Sequence, residues 1–171
     1  MPSKALILVD FENEWIDKKS DYYVGNISDI IKKTNRLIDY CRAKGYKIIF
    51  IRHVEEDSKA FAENSENTKI ISKLHKTKQD KTVKKYKISP FYRTALEKEL
   101  KGIKNIIVAG ILTNLCVRSL VQDAYDRDFG IIVIKDCCVA MDKKTQDFTL
   151  KDLKSTREEI TFPSLKEFTA S

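Results

Sequence analysis

Three times along this chain a helical pattern stops near a glycine and a short apolar run begins. From Ile27 to Lys44, apolar residues recur at helical spacing (Ile27, Ile30, Ile31, Leu37, Ile38, Cys41), Gly45 follows, and then YKIIFI. Leu96–Lys101 leads through Gly102 into NIIVAG, and Leu120–Phe129 leads through Gly130 into IIVIKD. A helix closed by a left-handed glycine and followed by an apolar strand is the αβ junction. Runs this apolar suit central strands covered on both faces. The expected fold is therefore α/β, with alternating elements and a parallel sheet between helical layers.

The remaining segments fit around that frame. Lys4–Asp10 (KALILVD) is an apolar run ending in a carboxylate, which places Asp10 at the carboxyl edge where open α/β sheets hold their ligands. As an alternative, Asp10 merely caps the next turn. Asn26 or Ser28 can cap the helix that follows. The loop Phe11–Tyr23 gathers Phe11, Glu12, Trp15, Tyr22 and Tyr23, which either line a pocket or cover the sheet end. Glu55–Lys78 is polar with a weak helical pattern and reads as peripheral helix and loop. Lys81–Ile88 reads as a short strand, Ser89–Tyr92 as a turn and Thr94–Leu100 as a helix. Beyond Asp136 the pattern predicts a helix over Thr145–Lys154, an edge strand over Glu159–Phe162 and a terminal helix from Ser164.

The 171 residues suffice for one domain, 1–171, and no composition shift marks a linker. The apolar run Ala5–Val9 is too short for a signal peptide or a membrane span. With four irregularly spaced cysteines, this suggests a cytoplasmic protein with reduced thiols. The formal charge of +7 is concentrated: Lys69–Lys87 holds eight lysines against Asp80. Such a strip could hold an acidic partner, making the chain a non-catalytic binding module. Without interleaved aromatics for base stacking, a solvated face is the better reading and nucleic acid is disfavoured.

The chemistry narrows quickly. The five glycines form no phosphate loop, and two histidines, His53 and His75, leave no His-rich metal site. In NIIVAGILTNLCVR (Asn105–Arg118) an apolar strand turns through Gly110, Thr113 can cap the next helix, and Cys116 falls in its first turn. A helix start favours a thiolate, and a strand-turn-helix nucleophile is a recurring device. An inert buried cysteine is the alternative, and this stretch alone leaves both open. Asp10 and Cys116 project from one edge of a parallel sheet, and a lysine from Lys84–Lys87 can join them. A carboxylate can accept the thiol proton and an ammonium can stabilise the thiolate. His53 ends a strand and reads as a core or rim residue. Cys137 and Cys138 read as packing residues.

Several blocks in order then resemble a known family: Asp10-Phe11-Glu12-Asn13-Glu14-Trp15; Lys85-Tyr86-Lys87-Ile88-Ser89-Pro90-Phe91 with Thr94 and Leu96; Gly110-Ile111-Leu112-Thr113-Asn114-Leu115-Cys116-Val117; and Asp123-Ala124. Together they are similar to the isochorismatase-like cysteine hydrolases, among them nicotinamidases and N-carbamoylsarcosine amidases. The resemblance implies a three-layer α/β/α fold on a six-stranded, mainly parallel sheet, and a catalytic set of Asp10, Lys85 and Cys116. It selects Lys85, four residues before Ser89. It also implies a cis Ile111–Leu112 peptide and an oxyanion hole from the backbone N–H groups of Leu112 and Cys116. Trp15, Phe91 and Tyr92 are candidates for packing a small-molecule substrate. No cofactor or metal is implied: Ile51-Arg52-His53 lacks the Asp of the nicotinamidase Asp-x-His. Glu12 stands where the family usually has Gln. Similar proteins are often dimers or tetramers, so a homo-oligomer is expected.

Overall fold

The computed structural model describes residues 2–170. Five strands, β1 (Lys4–Val9), β2 (Lys47–His53), β3 (Lys81–Lys85), β4 (Asn105–Ile111) and β5 (Gly130–Val139), form one parallel sheet in the order β3-β2-β1-β4-β5. The order reverses between β1 and β4, where open parallel sheets form their ligand crevice. Leu6 pairs with Ile48 on one side and Ile107 on the other.

Strand alternation splits the core in two. Leu6, Leu8, Phe50 and Ile107 pack on one face with α1 (Ser28–Ala43) and α5 (Leu165–Ala170). Ala5, Ile7, Val9, Ile49 and Val108 pack on the other with α2 (Leu96–Glu99), α3 (Arg118–Tyr125) and α4 (Lys143–Thr156). Every residue from Ala5 to Val9 is therefore fully buried, which is why the run carries no polar position. Helix α1 buries Ile31, Leu37, Ile38 and Cys41 as its spacing predicts. Asn26 Oδ1 accepts from the Ser28 N–H just ahead of it, although the cap position itself is Ile27.

The predicted six strands become five. Of Glu159–Phe162, only Thr161 bridges to β5, through Val133 N–H to Thr161 O (2.8 Å) and Thr161 N–H to Ile131 O (3.2 Å). Pro163 follows, with a carbonyl for Lys135 but no N–H to continue the ladder. Cys137 and Cys138 lie inside β5 and are buried. At the αβ junctions Gly45 (φ 71°) and Gly102 (φ 82°) take the left-handed conformation; at the third, Asp128 (φ 60°) takes it and Gly130 opens the strand.

The largest departure is 55–78, where the weak helical pattern forms no helix. Arg52 instead gathers this loop, donating to Thr68 O (2.6 Å), Thr68 Oγ1 (2.6 Å) and Glu63 O. The backbone polar groups that a helix would have paired are partly satisfied by one guanidinium. The loop buries Phe61, Ile71 and Leu74 in the core cluster on the α1 face of the sheet. The basic strip is dispersed: Lys84 engages Glu63, Lys69 engages Glu66, Lys76 lies 5.7 Å over the Phe50 ring, and Lys85 is fully buried. Among the described residues no helix is long and apolar enough to cross a membrane.

Candidate active site

Four strand ends build the site. Asp10 follows β1 in the left-handed conformation (φ 51°), tolerable for Asp, and its N–H bonds Ile51 O at 3.1 Å. Strand β4 approaches β1 closely there: a Cβ on Gly110 would stand 2.5 Å from Val9 O. Only glycine permits that approach. The Ile111–Leu112 peptide is cis, and a π-helical turn, Thr113–Val117, then presents Cys116. Such turns recur at functional sites. Leu112, not Thr113, is the cap residue; Thr113 Oγ1 is buried without a side-chain partner.

Alternation selects the lysine. Along β3, Val83 and Lys85 face inward and Lys84 outward. The Lys85 ammonium stands 2.9 Å from Asp10 Oδ2, 3.3 Å from Cys116 Sγ, 3.1 Å from His53 Nδ1 and 3.2 Å from Lys87 O. The first contact is an ion pair, and the three N–H donors serve the other three. Burial opposes its charge, yet Asp10 and the Cys116 sulfur outweigh that and raise its pKa above the ordinary lysine value.

The thiol behaves differently from the expectation set by a helix start. Burial, and then the Asp10 carboxylate, push Cys116 up to about 12 despite the opposing pull of Lys85. With its pKa so raised, Cys116 is at neutral pH a thiol beside the Asp10 carboxylate, not a standing thiolate. Glu12 is fully buried and accepts from the His53 N–H; burial and the neighbouring Asp10 charge raise it to about 9, so it is a neutral acid near pH 7.

Above these groups lies a cavity of about 710 Å³ that reaches Asp10 and Cys116. Trp15 lines it, its ring 5.9 Å from Tyr22 and 5.6 Å from Phe61. Phe91 and Tyr92 do not. Phe91 is buried on the α2–α3 face under the Arg127 guanidinium (4.5 Å), and Tyr92 is half exposed beside Arg93. The expectation that these two rings pack substrate is corrected: the turn after β3 sends them away from the crevice. Three wall components escaped sequence reasoning. His53, whose Nε2 meets Glu55 Oε1 at 2.9 Å, was signalled only by its place at a strand end beside β1. Phe61 and the acidic run Glu55–Asp57 come from the loop whose fold the sequence did not disclose. No group of three His, Cys, Asp or Glu among the described residues is arranged to hold a metal ion.

Comparison with known proteins agrees with this architecture. A crystal structure of an isochorismatase-like hydrolase from Alkaliphilus metalliredigens superposes with a TM-score of 0.88 over 98% of both chains, at 21% identity. The uncharacterized isochorismatase family protein YaaI of Bacillus subtilis (strain 168) is 30% identical over 156 residues, 86% of each chain. Nicotinamidase 3 of Arabidopsis thaliana is 23% identical over 165 residues, covering 87% of this chain and 79% of its own. The isochorismatase domain model matches residues 4–161, from the first residue of β1 to the bridge at Thr161, and on that extent of agreement the chain belongs to the isochorismatase family.

Proposed function

We propose that this protein is a cysteine hydrolase that cleaves the C–N bond of a small amide, with Asp10, Lys85 and Cys116 as its catalytic residues. One observation carries the reading: a buried ammonium 2.9 Å from a carboxylate and 3.3 Å from a sulfur, at the floor of an open cavity. A relative that is a nicotinamidase supports the choice of an amide.

The steps follow from the groups present. Asp10 takes the thiol proton as Cys116 Sγ bonds to the carbonyl carbon. The oxyanion so formed is held by the N–H groups of Leu112 and Cys116. Lys85 balances the negative charge as it moves from carboxylate to sulfur and onward. The C–N bond then breaks, and Asp10 returns its proton to the departing nitrogen, releasing ammonia or an amine. Water, deprotonated by Asp10, attacks the thioester. The C–S bond breaks, the acid product leaves, and the proton returns to the sulfur.

Trp15 packs the substrate from the wall. A cytoplasmic homo-oligomer, dimer or tetramer, goes with this reading, and light scattering measures the assembly. The deciding experiment is ammonia release from a panel of small amides, ureas and carbamoyl compounds. Wild-type turnover with none from a folded Cys116→Ala variant is the expected result. Equal turnover by both removes the nucleophile.

A further inference from the structure

The cavity wall has a sign opposite to that of the chain. The sequence carries +7, yet Glu55, Glu56 and Asp57 stand together in the wall, with Lys87 the one lysine or arginine lining it. Asp10 on the floor is already balanced by Lys85 at 2.9 Å. Glu55 meets His53, whereas Glu56 and Asp57 form no ion pair among the described residues. Two carboxylates at the mouth are therefore uncompensated by any side chain pairing with them.

The aromatic wall points the same way. Lysine or arginine lies over the rings of Tyr46, Tyr40, Phe50, Tyr92, Phe91 and Tyr125. No lysine or arginine of the described chain lies over Trp15, Tyr22 or Phe61, three lining rings that pack edge to face or tilted on one another, with the His53 ring 5.1 Å from Phe61. Ring faces attract cations, best when partly desolvated. Three deeply buried polar atoms of the lining also lack a hydrogen-bond partner in the protein: Asp10 Oδ1, Asp10 Oδ2, which is ion-paired with Lys85, and Trp15 Nε1, on residues 0% and 6% exposed. Buried polar atoms are rarely left unpaired, and Asp10 Oδ1 and Trp15 Nε1, with neither kind of partner, sit on residues lining a cavity that reaches the sulfur.

We infer that the substrate is a small amide bearing a fixed positive charge at the end remote from the scissile bond, held between the Trp15–Tyr22–Phe61 rings and the Glu56–Asp57 carboxylates. This rests on the amidase reading above for the reaction, but the charge preference is a property of the cavity. The amide carbonyl would face Cys116 while the cation remains at the acidic mouth.

A matched pair tests it: 4-(trimethylammonio)butanamide and its neutral isostere 5,5-dimethylhexanamide, which differ in one atom and one charge. Binding to the Cys116→Ala protein is measured by calorimetry, and kcat/KM on the wild type by ammonia release. The cationic amide is expected to bind about tenfold or more tightly, with the ratio shrinking at high salt. In the double variant Glu56→Gln/Asp57→Asn that ratio should fall severalfold toward unity. Equal or tighter binding of the neutral isostere overturns the inference, as does a ratio unmoved by the double variant or no binding of either. Tighter binding of the cation without ammonia release from any amide upholds the cavity's preference and sinks the proposed reaction instead.

Discussion

The Lys85 ammonium and the Asp10 carboxylate form an ion pair of 2.9 Å in which both side chains are wholly withdrawn from solvent. Breaking such a pair leaves an uncompensated buried charge, which costs about 3–5 kcal/mol. Lys85→Met should lower unfolding free energy by about that amount, read by urea denaturation, and abolish hydrolysis. Adding Asp10→Asn should cost much less than the sum of the two single changes, because the second removes the orphaned charge.

The Cys116 thiol, pushed up to about 12 by burial and then by Asp10, should alkylate slowly with iodoacetamide near pH 7 and faster only as pH climbs well above 9. Asp10→Asn removes the carboxylate that raises the thiol and leaves Lys85, which lowers it. That variant should label several-fold faster at neutral pH while losing turnover. Slower labelling in Asp10→Asn would contradict the assignment of Asp10 as the group that holds the proton on sulfur.

Glu12, raised to about 9 by burial and then by Asp10, keeps a proton in the folded state that the unfolded chain releases near its ordinary value of 4.5. The folded state binds more protons across that window, so the group's contribution to stability falls as pH rises from about 4.5 to 9. The slope for one proton is up to about 1.4 kcal/mol per pH unit. Glu12→Gln keeps an acceptor for the His53 N–H. It should flatten the pH dependence of urea unfolding measured at pH 5, 7 and 9, gaining on the wild type as pH rises.

Gly110→Ala places a methyl 2.5 Å from Val9 O, against backbone that has no rotamer to yield. Overpacking of this kind costs about 1–3 kcal/mol. The strands it pushes apart carry Asp10 and lead into Cys116, so kcat should fall along with Tm. Ala109→Gly, in the same strand, would lower stability without that collision, and so separates loss of packing from displacement of the site.

The apolar runs of β1, β2 and β4 were legible because each is buried on both faces, which permits almost no polar residue; β5, at the sheet edge, was legible from Ile131–Ile134 before its exposed Lys135. Asp10 and Cys116 were legible for a related reason: a parallel sheet brings its carboxyl ends to one edge. Lys85 needed more than local pattern: strand alternation turns Lys84 outward, Lys87 lies past the end of β3, and in the sequence only the family resemblance singled out Lys85. The loop over 55–78 was not legible. Its path is set by Arg52, which reaches across to Thr68 and Glu63, and no periodicity within the loop encodes a partner outside it. Phe91 failed for the same reason, its place being fixed by Arg127 far along the chain. The state of the Cys116 proton was not legible from the helix start, because burial, and then a carboxylate from β1, raise the thiol.

The loop gripped by Arg52 contributes Glu55, Glu56, Asp57 and Phe61 to the cavity but none of the three groups at its floor. On the proposed function, part of the choice of molecule would therefore reside in a stretch of polypeptide that carries none of the groups that cleave its bond. A transplant of residues 55–63 between relatives should then shift appetite while the scissors stay as they were.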